Sequence, residues 1–229
     1  MVFTKAQAGS ANIGDPEGLF TVQYLDEKGN MTIRNNGSRA WRCNNPGNLR
    51  KSSYSTGKDR RAIGFAGAKN DWYAVYPDYE TGHEALIVML KGSKYSPLSL
   101  RASMKRYDEY NPLYIDSIVS ITGLDPDRTV GSLSPKEFEL FWKAIEHVED
   151  WKIGREDFIE KWYISGVHKK RGVITEYLVA NDTGSVWMSK EKAIELTETQ
   201  RLHAILVHLK SGSNYLRPEY GETRFTLVT

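Results

Sequence analysis

The sequence is poor in almost every feature that would place it quickly in a functional class. Its 229 residues contain one cysteine, Cys43, which excludes an internal disulfide and a thiolate metal cluster and leaves the redox compartment undetermined. No apolar run approaches the roughly 18–20 residues needed to span a bilayer. The longest candidate, Ala85 to Leu90, is the size of a core segment, so no membrane insertion is expected. The N-terminus shows no charged segment followed by an apolar stretch; no secretory signal is visible, and work outside the cytoplasm requires either another delivery route or a leader that this sequence does not include. There is no HExxH, no glycine-rich phosphate loop and no GxSxG. The five histidines, His83, His147, His168, His203 and His208, show no metal-ligand spacing, so neither a metal nor another cofactor is expected. What is present, 40% hydrophobic and 26% charged residues, is the composition of an ordinary globular chain with room for a sizeable core.

The net charge is also small, +2, but unevenly spread. Residues 166–229 carry nine Lys or Arg against seven acids, and residues 1–165 carry 22 of each. Within that balanced part, residues 39–61 hold seven bases (Arg39, Arg42, Arg50, Lys51, Lys58, Arg60, Arg61) and one acid, Asp59. A basic loop with aromatics nearby suits an anionic polymer, and a solvated loop surface explains the same charges. A nucleic-acid site there predicts strongly salt-dependent binding; the balanced charge of the surrounding domain argues against it, and no nucleic-acid partner is expected.

Residues 1–18 are small and polar and read as a tail or linker. Residues 19–25 and 31–34 are β-patterned and separated by a hairpin-type connection. Residues 35–67, rich in Gly, Asn, Ser and Arg, have no sustained period and form a loop too long to be a bland connector. Helices are predicted after Asp78, with Gly82, Ala85, Leu86, Met89 and Leu90 on one face, and over residues 99–107. Further helices are predicted from an Asn111 cap to a Gly123 stop, from Pro135 to about Trp151 behind a Ser134 capping box, and over 155–163. Beyond Gly166, strands at 173–180 and 203–209 flank a helix from Ser189. The expectation is a mainly α fold: a helical domain at 19–164 with a small N-terminal β-hairpin region, then a small α+β domain at 165–229.

Glu149 is the most informative residue. On a helix from Pro135, turned 100° per residue, Phe138, Phe141, Trp142, Ile145 and Val148 form one apolar face. Glu149 falls within that face, whereas Glu139, Lys143, Glu146 and His147 point elsewhere. Acids are rarely buried without a partner. Desolvation and the negative end of the helix dipole both favour the neutral acid, the state a general acid for glycoside cleavage needs. Alternatively, the helix stops before Glu149 and its carboxylate reaches water or an arginine. Asp59, alone in a basic loop, is either a structural ion-pair partner or a carboxylate facing substrate. Glu84 reads as solvated, and Glu80 suits the first turn of its helix without a catalytic role. A nucleophilic pair of Cys43 with a histidine has no marked partner.

The segment Gly37-Ser38-Arg39-Ala40-Trp41-Arg42-Cys43-Asn44-Asn45-Pro46-Gly47-Asn48-Leu49-Arg50 resembles the GSRxWRNNNPGNLR signature of lysozyme-like peptidoglycan hydrolases, domains found in type VI secretion effectors and phage virion proteins. The similarity runs on through Tyr73-Ala74-Val75-Tyr76-Pro77-Asp78 and Thr81-Gly82 to Glu149-Asp150-Trp151, covering about residues 30–155. The resemblance implies a lysozyme-like helical fold, cleavage of peptidoglycan glycan strands, and Glu149 at the position of the family's glutamate. Trp41, Asn44, Asn45, Asn48, Arg50 and Tyr76 are then expected to line the substrate cleft, since amides suit N-acetyl and hydroxyl groups and aromatic rings stack on sugars. With Asp59 as second carboxylate the enzyme is a muramidase, inverting or retaining; without it, a lytic transglycosylase of the same fold is the alternative. A non-catalytic wall-binding or virion module is the reading from another class. An antibacterial effector delivered to the periplasm of a target cell implies a secretion apparatus and a cognate immunity protein. The chain departs from the signature at Cys43, where Asn is usual, and at Asp150, where Gly or Asn is usual. Arg60-Arg61 replaces His-Gly, and a Glu-Asn-Asp segment is shortened to Glu109-Tyr110-Asn111. From Ile164 the chain is similar to a small α+β domain of unassigned function, with Tyr215-Leu216-Arg217 fitting its pattern.

Overall fold

The computed structural model of the chain describes residues 2–8, 21–50, 61–68, 71–181, 183–199, 201–209, 212–218 and 226–227. Three strands open the described chain: β1 (Phe3–Ala8), β2 (Thr21–Asp26) and β3 (Met31–Asn35). A single helical turn, α1 (Arg39–Arg42), and a β-hairpin, β4 (Gly64–Ala68) and β5 (Asp71–Val75), come next. Helices α2 (Tyr79–Lys91), α3 (Leu100–Tyr107), α4 (Tyr114–Thr122) and α5 (Pro135–Val148) follow. The remainder is β6 (Arg155–Ile159), β7 (Trp162–Lys170), β8 (Val173–Asn181), β9 (Gly184–Ser189) and α6 (Lys190–Glu198), then the short strands β10 (Leu202–His203), β11 (Ile205–His208), β12 (Asn214–Arg217) and β13 (Thr226–Leu227).

The chain divides into two compact units, one of Met1–Glu27 with Thr32–Asp157, the other of Lys28–Met31 with Phe158–Thr229. The division falls before the expected boundary at 164. In the first unit, strands lie in the order β5-β4-β1-β2-β3-β6, and the helices enclose a core that includes Leu86, Leu90, Leu100, Met104, Ile118, Phe141 and Ile145, all fully buried. In the second, β7, β8 and β9 form an antiparallel sheet, and Ile164, Tyr177, Val179, Ala193 and Leu216 form the core. The Tyr177 hydroxyl accepts from the Leu216 amide at 2.7 Å, which ties β12 to β8.

Local sequence explains the helices. Asp78 accepts from the Thr81 amide (2.7 Å) and Ser99 from the Ala102 amide (3.2 Å), capping α2 and α3. Ser134 and Glu137 exchange the two hydrogen bonds of a capping box (2.8 and 3.4 Å) at the start of α5. The buried face of α2 is Gly82, Ala85, Leu86, Met89 and Leu90. The α4 helix starts at Tyr114, later than the Asn111 cap predicts, because Asn111 turns the chain first by accepting from the Leu113 amide (3.2 Å).

The mainly α expectation is overturned: among the described residues strand makes up 36% and helix 32%, a β-rich α+β fold. Three segments show how the difference arises. Part of the region read as a tail is β1, hydrogen-bonded antiparallel to β2 and parallel to β4. Its own apolar content is slight, and its stability comes from neighbours distant in sequence. In β4 the glycines hide the strand; a Cβ at Gly64 would lie 1.7 Å from the Ala6 carbonyl oxygen, so that close approach demands glycine. The segment read as a helix at 155–163 contains β6, tied to β3 by Arg34–Glu156 (2.7 Å) and by Asn35 donating to Asp157 (3.2 Å).

Gly82 carries a second close approach, one that seats the Cys43–Arg50 loop. A Cβ there would lie 1.8 Å from the Asn44 carbonyl oxygen, a backbone atom with no freedom to retreat. Gly82→Ala is expected to lower unfolding free energy by about 3 kcal/mol, read as a lower urea midpoint at unchanged m-value. An unchanged midpoint contradicts this seating.

Candidate active site around Glu149

The loop between α1 and β4 solves a local problem before it presents any chemistry. Residues 43–50 form no regular structure, so their buried backbone groups find partners in turn and loop bonds, such as the Tyr76 N–H donating to the Cys43 carbonyl at 3.0 Å, and in side chains. Asn44 and Asn48 adopt left-handed backbone (φ 49° and 44°), which asparagine tolerates better than most residues. The Asn44 amide nitrogen donates to the carbonyls of Tyr76 and Pro77, both at 3.1 Å, and its oxygen accepts from Arg34 Nη1 at 2.6 Å. The Asn45 nitrogen donates to Leu49 (3.1 Å) and Ala74 (2.9 Å), while its oxygen accepts from the Leu49 amide at 2.8 Å. Both asparagines are buried, at 3% and 0% exposure. Their hydrogen bonds hold loop to sheet, and the expectation that they contact substrate is corrected.

Trp41 and Tyr76 are corrected on the same ground. Tyr76 lies wholly in the core, and Trp41 is buried with the Arg34 guanidinium 5.0 Å from its ring centroid. Neither offers a ring face to a sugar. Arg42 is also internal, donating to the Asn36 and Gly37 carbonyls at 3.0 and 2.7 Å, so it is not a surface charge for a polyanion. Burial pushes the Cys43 thiol up to about 12, which leaves too little thiolate for nucleophilic work at neutral pH. Asp59, Lys51, Lys58 and Arg60 lie outside the described residues.

The α5 helix reaches Glu149. The Glu149 amide donates to the Ile145 carbonyl at 2.9 Å, and the residue caps the helix at φ −74°, ψ −4°. Asp150 then turns the chain away in left-handed backbone (φ 55°). The carboxyl is held at both oxygens: Oε2 accepts from Asn48 Nδ2 at 2.8 Å, and Oε1 from the Tyr114 hydroxyl at 2.7 Å. Burial is the main influence on its proton affinity and raises its pKa. The hydrogen bonds from Asn48 and Tyr114 oppose that, the charge of Asp108 adds to it, and Arg39 opposes; the net direction is upward.

Glu149 opens onto a cavity of about 160 Å³. Two carboxyls (Glu149 and Asp108), two guanidiniums (Arg39 and Arg50) and the tyrosines Tyr73, Tyr95 and Tyr107 share its wall with Asn48. Of the binding residues expected from sequence, only Asn48 and Arg50 line this cavity. Arg39 packs on the Tyr73 ring at 4.0 Å. The Tyr107 hydroxyl donates to the Gly47 carbonyl, and its ring lies 5.6 Å from that of Tyr114. Among the described residues, the Asn48 Oδ1 is buried without a hydrogen-bond partner, which leaves an acceptor beside the acid.

Other acids near the site are engaged elsewhere. Glu146 accepts from Tyr79 at 2.8 Å and lies 2.6 Å from His83 Nδ1, and Glu84 pairs with Arg61 at 3.5 Å. Sequence reasoning missed Tyr114, Tyr107, Asp108 and Arg39. For Tyr114 a signal existed, since a phenol opens the otherwise apolar Ile115/Ile118 face of α4. Asp108, directly after a helix, reads as an ordinary solvated cap. Among the described residues no three of His, Cys, Asp and Glu converge as a metal site, and no helix is long and apolar enough to cross a membrane. Comparison with protein-family models and with curated proteins returns no match.

The raised proton affinity of Glu149 makes stability depend on pH. A carboxyl that binds its proton more tightly when folded contributes stability that is complete below the ordinary glutamate range and lost as pH rises through the folded value. Wild type is therefore expected to lose stability relative to Glu149→Gln as pH rises across that window, as measured by urea unfolding at stepped pH. A difference that stays constant with pH contradicts the assignment.

Proposed function

We propose that the protein is a lysozyme-like glycoside hydrolase that cleaves the glycan strands of peptidoglycan, with Glu149 as general acid. The observation that carries this reading is a desolvated carboxyl at a helix end, gripped by Asn48 and Tyr114 and open to an aromatic-walled cavity. Desolvation keeps a fraction of Glu149 protonated where an ordinary glutamate is ionised, so it can donate to a glycosidic oxygen. Once the proton has left, the Asn48 amide and Tyr114 hydroxyl stabilise the carboxylate. Tyr114 can also accept, so it serves both charge states. Tyrosine rings suit sugar faces, and the guanidiniums of Arg39 and Arg50 suit the carboxylates that a peptidoglycan strand carries.

The resemblance of residues 30–155 to peptidoglycan hydrolases points to the same chemistry from a separate direction. It also supports an antibacterial role: delivery by a secretion apparatus to the periplasm of a target bacterium, and an immunity protein that blocks the cavity in the producing cell. Neither a cofactor nor a nucleic acid has a part in this reading.

Glu149→Gln preserves size and both hydrogen-bond geometries but has no proton to give. It is expected to reduce lysis of purified walls by about 100-fold or more while wall binding persists, measured by turbidity and co-sedimentation. Full lysis by Glu149→Gln sinks the proposal. Wall binding without any digestion by wild type makes the protein a non-catalytic wall-binding module instead.

A further inference from the structure

The cavity holds a second carboxyl whose setting is the reverse of that of Glu149. Asp108 follows the last residue of α3, and its backbone N–H closes that helix on the Met104 carbonyl at 3.0 Å. Its Oδ1 accepts from the Tyr110 amide at 3.3 Å, and its carbonyl accepts from the Asn111 amide at 3.3 Å. A tight turn therefore fixes the residue through its backbone and one carboxyl oxygen. Among the described residues, Oδ2 takes no hydrogen bond, and the side chain is half-exposed at the cavity wall.

Two helix ends, distant in sequence, thus bring to one cavity an acid hydrogen-bonded at both oxygens and a carboxyl hydrogen-bonded at one. Arg39 and Arg50 supply positive charge to the same wall, which offsets the repulsion between two acids in a small space. Building on the proposed glycosidase reading, we infer that Asp108 is the base that activates the attacking water. Asp108 takes a proton from the water, and the water oxygen bonds to the anomeric carbon. The glycosidic C–O bond breaks with its electron pair on the departing oxygen, which receives the Glu149 proton. One water is added; Asp108 ends protonated and Glu149 ionised, and solvent returns both to their starting states. A single displacement of this kind inverts the anomeric configuration. It also makes the enzyme a hydrolase, since a transglycosylase adds no water.

The test is digestion of purified peptidoglycan by wild type, Asp108→Asn, Asp108→Ala and Glu149→Gln, with products read by mass spectrometry and the first-formed anomer by NMR. Wild type is expected to release reducing ends of inverted configuration. Asp108→Asn keeps an oxygen for the Tyr110 amide, so it is expected to fold and bind walls as wild type while losing about 100-fold or more of its rate. Azide is a nucleophile that needs no base, and it is expected to restore cleavage in Asp108→Ala as a glycosyl azide, a rescue that a purely structural role does not produce. Anhydro products from wild type, a retained anomer, wild-type rates in Asp108→Asn, or no azide rescue overturns the role of Asp108. With a retained anomer, wild-type rates in Asp108→Asn or no azide rescue, loss of lysis in Glu149→Gln leaves the glycosidase reading standing; anhydro products make Glu149 the acid of a lytic transglycosylase instead. Lysis by Glu149→Gln, in contrast, removes that reading itself.

Discussion

One carboxyl gathers the first unit around it. Asn48 from the loop, Tyr114 from the first turn of α4 and Glu149 from the end of α5 meet within 2.8 Å hydrogen bonds, and each is brought there by packing that has its own justification. Asn48 is held because the Asn45 side chain closes the loop on Leu49 and Ala74, and because Tyr107 ties down Gly47. Tyr114 is held because α4 buries Tyr114, Ile115 and Ile118. Glu149 is held because α5 buries Phe141, Ala144 and Ile145 and ends beneath it. The opposition at the site is between desolvation, which favours the neutral acid, and two donors, which favour the carboxylate. Desolvation prevails. That balance suits a group that must hold a proton and then release it.

The helical half of this arrangement was legible in the sequence because its causes are local. Asp78, Ser99 and Ser134 are caps, Gly123 is a left-handed stop (φ 68°), and the apolar stripe of α2 appears as 3.6-residue spacing. Glu149 stood out for the same reason, as an acid on an apolar wheel face. The strands β1, β4 and β6 were not legible, because their causes are distant. β1 has little apolar content, β4 is glycine-rich to let Ala6 approach, and β6 is held at the sheet edge partly by charged pairs with β3. Residue types that form such strands when partnered read as tail, loop or helix when considered alone.

The site was legible at its centre and misread at its edges. A run of asparagines and aromatics offers the same donors, acceptors and rings whether it holds a ligand or its own loop, and sequence cannot separate the two uses. In Asn44, Asn45, Trp41 and Tyr76 the loop takes precedence. In Asn48 and Arg50 the cavity does. Asp108 and Tyr107 join the site through tertiary packing, which no spacing rule encodes, whereas Tyr114 left a trace as a phenol on an apolar helix face. The basic loop is sharpened in the same way: Arg42 is tied to the protein's own carbonyls, whereas Arg39 and Arg50 line the cavity. The near-neutral total charge thus conceals a local positive wall beside two acids, a pattern suited to a neutral sugar backbone bearing carboxylates.

Burial, against the pull of two hydrogen bonds, holds Glu149 protonated above the range of an ordinary glutamate. The most direct measurement is a pH titration of its side-chain carboxyl by ¹³C NMR, assigned by comparison with Glu149→Gln. The midpoint is expected above the usual glutamate range. A midpoint within or below that range contradicts it.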